Sequence, residues 1–157
     1  IMPYFYKIKP AVKVVFIRHI GRVSLADLGD QIGEITQQEE FQKGMHLLFD
    51  QREEVPPDFS SRGVVQPRQE DTFNQTKLKV LFEFFENTKM ACIVKKDMAK
   101  YFASLADLMQ DMEKIDNAIF FTVKEAKDWL NIPPKFDVDK ILSQVIFVRN
   151  SDKDYRP

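Results

Sequence analysis

The sequence has few of the features that mark secreted, membrane-embedded or nucleic-acid-binding proteins. Its single cysteine, Cys92, cannot form a disulfide within the chain, and this favours a reducing, cytoplasmic compartment. No run approaches the roughly 18 apolar residues of a transmembrane helix, and the first residues lack the layout of a secretory signal. The net charge of −1 provides no basic field for a nucleic acid or an anionic membrane.

Motifs for catalysis are also scarce. The chain contains no glycine-rich phosphate loop, no Gly-x-Ser-x-Gly and no Cys-x-x-Cys. Its two histidines, His19 and His46, lack the spacing of a metal-binding pair, so we expect both to be structural. Cys92 lies in an apolar run and is expected to act as a small buried hydrophobe. We therefore predict a protein without enzymatic activity, cofactor or metal.

What the sequence does contain is the pattern of one globular α/β domain. Its 157 residues suffice for a real core, and its fourteen phenylalanines are the main aromatic core material. Short apolar runs bounded by proline, glycine or polar residues predict five strands. These strands are Tyr4–Lys9, Val12–Ile20, Met45–Phe49, Met90–Val94 and Ala118–Thr122. The third run is apolar at every position, which is typical of a central strand.

Helices are predicted between and after these strands. Ser24 and Thr122 each precede a capping-box pattern, and Asp97 is expected to cap the helix that follows the fourth strand. Apolar residues at spacings of three and four predict a helix over Lys77–Glu86, and Asp137 and Asp139 favour a short helix near the end. The order β-β-α-β-α-β-α-β-α predicts a mixed, mainly parallel five-stranded sheet with an N-terminal hairpin and helices packed on it.

In this order, several segments resemble the SpoIIAA-like, STAS-related proteins, a bacterial group of small α/β domains that are mostly uncharacterised. The matching segments are residues 2–6, 14–23, 24–27, 44–52, 90–94 and 120–130. The resemblance implies a domain over residues 2–132, with residues 133–157 as a C-terminal extension. Relatives with this fold include anti-sigma-factor antagonists, in which a partner kinase phosphorylates a serine at a helix start. Others hold an apolar ligand against the sheet. Because one fold hosts several functions, these are expectations only.

The segment from Asp50 to Gly63 corresponds to the phosphorylated region of the antagonists in this resemblance. In the antagonists a strand ends in aspartate and Asp-Ser-Ser-Gly follows eight residues later. Here Asp58 has that place, but Phe59 and Arg62 interrupt the motif. Ser60 and Ser61 are therefore candidate phosphorylation sites near a helix N-terminus. The alternative is that Asp58 or Ser60 only caps a helix.

A partner-binding rim is predicted at Asp50, Arg52, Asp58 and Gly63. Asp50 and Arg52 are two apart on a strand end, so their side chains share one face. They either form a structural ion pair or bind a partner's charges. Our leading prediction is a non-enzymatic binding or regulatory module that works through protein contacts with another protein or with a second copy.

The alternative function is a carrier of a small apolar or lipid-like ligand. Phenylalanines on two predicted helices would line its pocket. The candidates are Phe82, Phe84, Phe85 and Phe102. Phe84 lies off the main apolar stripe of its helix, so it could line a groove, a pocket or a dimer interface. Ordinary core or edge packing is the alternative for each of them.

Overall fold

The computed structural model describes residues 4–55, 79–108 and 114–143. It contains a five-stranded sheet in the order β1-β2-β3-β4-β5. The strands are β1 (Tyr4–Lys9), β2 (Val14–Gly21), β3 (His46–Glu54), β4 (Lys89–Ile93) and β5 (Asp116–Phe120). All five predicted strands are present, and β3 is the middle one. It extends five residues beyond the predicted end at Phe49.

The N-terminal hairpin pairs β1 with β2 in antiparallel orientation, from Tyr4 opposite His19 to Lys9 opposite Val14. A 3-10 turn at Pro10–Val12 connects them. Proline is suited to the first position of such a turn because its missing N–H would have no partner there. Lys13 completes the reversal with a left-handed φ of 58° and donates its N–H to the carbonyl of Pro10.

The other three strand pairs, β2 with β3, β3 with β4 and β4 with β5, are parallel. The structure thus confirms the mixed, mainly parallel sheet. Helix α1 (Leu25–Thr36) connects β2 to β3, α2 (Ala99–Leu108) lies between β4 and β5, and α3 (Val123–Trp129) follows β5. Two shorter helical pieces are residues 79–82, which lead into a 3-10 turn at Glu83–Phe85, and residues 138–143.

Two of the three predicted helix caps are confirmed. Ser24 and Asp27 form a complete capping box at α1, and the Thr122 hydroxyl accepts the N–H of Glu125 at α3. Each cap satisfies backbone donors that a helix start leaves without partners. The prediction for Asp97 is wrong. A 3-10 turn at Lys96–Met98 precedes α2, and that turn has no side-chain cap.

Helices cover the sheet on both faces. On the first face, α1 and residues 79–85 pack over the odd-numbered side chains Val15, Ile17, Leu47 and Phe49, which are buried. On the second face, α3 and residues 138–142 pack over the even-numbered Val14, Phe16 and Leu48, together with Ala91 and Ile93. Alternation along each strand therefore divides one set of strands between two cores. Val138, Ile141 and Leu142 are part of the second core, whereas the boundary at residue 132 stays a prediction.

Within the described ranges, no helix is both long enough and apolar enough to cross a membrane. The same ranges contain no cluster of three or more histidine, cysteine or acidic side chains that could hold a metal ion.

Candidate functional site

Polar side chains cluster where β2 and β3 end. They lie on both faces of the sheet, because successive side chains of a strand point to opposite faces. On the second face lies a set that we call the rim cluster: Arg18, Asp50, Arg52 and Glu53. On the first face lies a set that we call the buried network: His19, Gln31, Gln51 and Glu54. Both sets are at the carboxyl edge of parallel strands, which is where open α/β sheets usually bind ligands.

The rim cluster is a balanced set of ion pairs around one buried carboxylate. Asp50 is 2% exposed and accepts three hydrogen bonds from Arg52, from the backbone N (3.2 Å), Nε (2.8 Å) and Nη2 (2.9 Å). Arg18 binds Glu53 through Nη2 at 2.6 Å, and its Nε is 3.9 Å from Asp50 Oδ2. Two guanidinium groups therefore face two carboxylates. Of the two alternatives for Asp50 and Arg52, the structure shows the ion pair.

Arg52 keeps 38% of its side chain exposed even though Asp50 holds it. The hydrogen bond to Asp50 raises the pKa of Arg52 more than partial burial lowers it, and the charge of Asp139 adds to the increase. A guanidinium group in this position is held in one orientation and remains accessible from solvent.

The buried network is built around His19, which is 2% exposed. Its Nδ1 lies 2.8 Å from Glu54 Oε1, and its Nε2 lies 3.0 Å from Gln31 Oε1. Gln51 donates from Nε2 to the same Glu54 oxygen at 3.3 Å. Because a carboxylate only accepts, Nδ1 of His19 carries the proton of that bond. Nε2 either carries a second proton and donates to Gln31 Oε1, or accepts an N–H from Gln31 with that amide reversed. In both cases the two ring nitrogens are paired inside the protein, which favours a structural role for His19.

Sequence reasoning missed three of these four residues. Gln31 comes from α1, and no pattern in the sequence links it to β2. Glu54 has an even number and would by simple alternation face the rim cluster. A register shift intervenes, because Arg18 is opposite Asp50 whereas Ile20 is opposite Glu53. The extra residue in β3 turns Glu54 toward the first face. The one signal in the sequence was His19 itself, because a histidine buried on a strand needs hydrogen-bond partners for its ring nitrogens.

A cavity of about 70 Å³ lies beside the buried network on the first face and is partly open to solvent. Most of its wall is apolar and comes from the sheet, α1, α2 and the helical residues before β4. The wall includes Leu28, Phe49, Phe82, Met90, Cys92 and Phe102. Among the described residues, the polar ones in the wall are His19, Gln51 and Asn117.

The four phenylalanines proposed for a pocket divide into two pairs. Phe82 and Phe102 line the cavity. Phe85 is fully buried in the first core and packs on Phe41, with ring centroids 5.3 Å apart. Phe84 is 43% exposed and meets Phe41 at its edge. Neither Phe84 nor Phe85 is among the described residues of this cavity wall.

Among the described residues of the cavity wall, Cys92 carries the one thiol. Burial, and to a smaller degree the charge of Glu54, raises the pKa of its thiol to about 12. The group therefore stays protonated at neutral pH, and a thiol rather than a thiolate is a poor nucleophile. As predicted, Cys92 serves as a small apolar wall residue.

His46 lies at the opposite edge of the sheet, where β3 begins. Its Nδ1 accepts the backbone N–H of Lys89 at 2.9 Å. Partial burial lowers the pKa of His46, and the charges of Lys89 and Lys13 lower it further. The neutral ring that this bond requires is thus favoured, and the role of His46 is structural too.

The remaining predicted site residues lie outside the described residues. They are Asp58, Ser60, Ser61 and Gly63. Their assignment as a partner rim and as phosphorylation sites stays a prediction.

Comparison with known proteins supports the fold. No family model matches the chain, and no curated protein matches it. Among solved structures, it is similar to an uncharacterized DUF3478-family protein with a SpoIIAA-like fold from Shewanella loihica PV-4. The TM-score is 0.53 at 12% identity, over 83% of this chain and 95% of that chain. The sequence-based prediction of a SpoIIAA-like fold is therefore confirmed, and at this identity the similarity shows the fold alone.

Proposed function

We propose that this SpoIIAA-like domain is a non-enzymatic binding module that holds a small apolar ligand in the cavity on its first face. The supporting observation is the cavity itself. Protein interiors rarely leave voids much larger than a water molecule, which needs only about 10–15 Å³. A space of about 70 Å³ with a mainly apolar wall is several times that size. It also opens to solvent, so a ligand has a route of entry.

The chemistry around the cavity favours binding over reaction. His19 is committed to Glu54 and Gln31, so its ring offers no free nitrogen to a bound molecule. The thiol of Cys92 is held protonated. General base catalysis needs a basic atom within hydrogen-bond reach of the substrate, and nucleophilic catalysis needs an activated nucleophile. These two wall residues supply neither.

Substitutions at Cys92 test the proposal. Cys92→Leu should fill the cavity, whereas Cys92→Ala leaves it open and is the matched control. A titration with 1-hexanol, followed by backbone amide NMR shifts, should show binding at the cavity wall in the wild type and in Cys92→Ala. Binding to Cys92→Leu should be weaker by on the order of tenfold or more, because the apolar contact area is lost.

Native mass spectrometry of the purified protein provides an independent check. A small apolar molecule that co-purifies with the wild type and is missing from Cys92→Leu would support the proposal. Equal 1-hexanol shifts in all three proteins, or shifts confined to residues outside the cavity wall, would contradict it.

Protein contact at the rim cluster is the second candidate function. It is favoured by the accessible, oriented guanidinium of Arg52 and by the 47%-exposed Val55, which follows the end of β3 at Glu54. An oriented guanidinium suits a partner's carboxylate. For contact with a second copy, sedimentation should show a dimer that weakens in Arg52→Ala, with Lys7→Ala as the surface control. If no dimer is detected, or if both variants dimerise equally well, contact of the rim cluster with a second copy is rejected.

The phospho-regulated version of this candidate concerns Ser60 and Ser61. Phosphopeptide mapping of protein isolated from its native cells should detect phosphate on one of them. The aspartate variants Ser60→Asp and Ser61→Asp should then change self-association in the same sedimentation experiment. If neither serine carries phosphate and neither variant changes the sedimentation profile, there is no switch at these serines that controls this contact.

A further inference from the structure

We infer that the outer edge of β5 binds an extended segment of a partner protein, which pairs with β5 as an added strand and places one apolar side chain in the cavity. This inference rests on the proposed function and names the ligand of the same cavity as a protein side chain. Four observations support it: the position of β5 in the sheet, the direction of its backbone groups, the position and size of the cavity, and the charges at the two ends of β5.

Strand β5 is the last strand of the sheet, and some of its backbone groups point away from β4. The N–H of Asp116 and the carbonyl of Phe120 form hydrogen bonds on the β4 side. Backbone groups alternate in direction along a parallel strand, so Asn117 and Ile119 direct their N–H and C=O groups to the outer edge. No strand pairs with that edge in the part of the chain that the structure describes. An added strand forms its hydrogen bonds with such groups.

The same two residues of β5 form part of the cavity wall. Asn117 and Ile119 line the cavity together with Met90 and Cys92, the residues opposite them on β4. Asn117 is also the one exposed residue among the described residues of that wall, which places the opening of the cavity at the edge of β5. A strand added there has every second side chain on the first face, beside this opening.

The volume of the cavity suits one aliphatic side chain. An engineered apolar cavity of about 150 Å³ in another protein holds a benzene molecule. The space here is about 70 Å³, which suits a smaller group such as the side chain of valine or leucine. Phe49, Phe82 and Phe102 give that group an apolar wall. The polar backbone of the segment stays outside the cavity, where it pairs with β5.

Charges at the two ends of β5 indicate which residues flank the apolar one. Asp116 is exposed at the start of the strand, and the lysine opposite it on β4, Lys89, donates instead to the carbonyl of Trp129 at 3.0 Å. Just beyond the other end, exposed Lys96 lies 5.9 Å from the centroid of the Phe121 ring. Antiparallel pairing is the more stable orientation. A segment in that orientation fits best with an acidic residue before the apolar one and a basic residue after it.

The peptide acetyl-Glu-Thr-Val-Thr-Leu-Lys-amide tests the inference, with its leucine opposite Asn117. An NMR titration should shift the backbone amides of Asn117 and Ile119 and yield the dissociation constant. Replacing the leucine of the peptide by serine should weaken binding on the order of tenfold. N-methylation of its valine and leucine, whose N–H groups face β5, should weaken binding on the order of tenfold as well. N-methylation of the threonine between them should leave binding unchanged, because that N–H points away from β5.

Variants assign the binding to the edge of β5 and to the cavity. Asn117→Pro removes the outward N–H without removing a hydrogen bond to β4, and Asn117→Ala keeps that N–H and is the matched control. Peptide binding should weaken on the order of tenfold in Asn117→Pro and stay close to wild type in Asn117→Ala. Both variants should still bind 1-hexanol. In Cys92→Leu, whose cavity is filled, the advantage of the leucine peptide over the serine peptide should disappear.

The outcomes separate this inference from the proposed function. If 1-hexanol binds but the peptide does not, the inference is wrong and the proposed function stands; if neither binds, both fail. Peptide binding that tolerates N-methylation of valine and leucine, or that is equal in the two Asn117 variants, excludes pairing with β5 and overturns the inference. Self-association of the wild type that Asn117→Pro abolishes would assign this edge to a second copy and overturn it too.

Discussion

Apart from Gln31 on α1, the rim cluster and the buried network are made from neighbouring residues of the same two strands, yet they differ in how their charges are satisfied. Arg18 and His19 are adjacent, as are Asp50 and Gln51. On the second face, two guanidinium groups neutralise two carboxylates, and Arg52 and Glu53 remain partly exposed. On the first face, Glu54, His19 and Gln31 are all buried, and oxygen and nitrogen atoms of two amides are left over.

The two regions also differ in their surroundings. In the rim cluster, Arg52 and Glu53 can exchange partners with water, whereas Asp50 is buried and Nε of Arg18 is buried without a hydrogen-bond partner. The buried network adjoins a cavity and retains an unpaired acceptor, Oε1 of Gln51.

The largest expected effect is a slow alkylation of Cys92, which lies in the cavity wall beside the buried network. Its thiol pKa is raised from 9.0 to about 12, so the thiolate fraction at neutral pH falls on the order of a thousandfold. Alkylation by iodoacetamide in the folded protein should be slower than in the urea-unfolded chain by a similar factor. The rate should rise in Glu54→Gln, since the charge of Glu54 contributes to the shift. If the folded protein were alkylated about as fast as the unfolded chain, the raised thiol pKa on the first face would be contradicted.

The next effect is the loss of the carboxylate in the buried network. Glu54→Leu leaves His19 and Gln51 without their shared acceptor in a buried position, and this should lower the free energy of unfolding by about 3 kcal/mol. Glu54→Gln retains an acceptor and should cost less. Urea denaturation followed by circular dichroism measures both values. Equal stabilities for wild type and Glu54→Leu would show that the network does not stabilise the fold.

Removing the corresponding carboxylate of the rim cluster should cost less. Asp50→Ala deletes the acceptor of three hydrogen bonds, but Arg52 is 38% exposed and can be rehydrated. We expect a loss of about 1.5 kcal/mol in the free energy of unfolding. The same urea experiment compares it with Glu54→Leu. A cost equal to or above that of Glu54→Leu would reverse the proposed ranking of the two regions.

The smallest effect is a pH response at His46, outside both regions. Its pKa is lower in the folded protein than its ordinary value of 6.5, so the unfolded chain binds more protons in the range between the two values. The stabilising contribution of neutral His46 is fully present above pH 6.5 and is lost as the pH falls through that range. His46→Asn keeps an acceptor for Lys89 without titrating. The stability advantage of wild type over this variant should therefore shrink between about pH 7.5 and pH 5.5. A constant difference would contradict the shift.

Much of the fold was predictable because its signals are local. Pro10, Gly21 and Gly44 punctuate the first strands, Ser24 and Thr122 cap helices through residues three positions away, and alternation divides Val14 from Val15. The exact ends were less certain. β3 continues to Glu54 because its polar residues pair with β2, although the apolar run ends at Phe49. The cap at Asp97 was misassigned because a 3-10 turn at Lys96–Met98 precedes α2, which places Asp97 inside that turn.

The candidate site was predictable only where its parts are close in sequence. Asp50 and Arg52 share a face because they are two apart, and the sequence alone determines that. Glu54 and Gln31 reach His19 only through the register shift in β3 and the packing of α1 on the sheet. Those contacts span 35 and 12 residues of chain, and no local propensity encodes them. The sequence by itself thus determined the elements, their order and the shared face of Asp50 and Arg52. The tertiary structure decided the buried network and the cavity beside it, because both exist only once distant elements pack together.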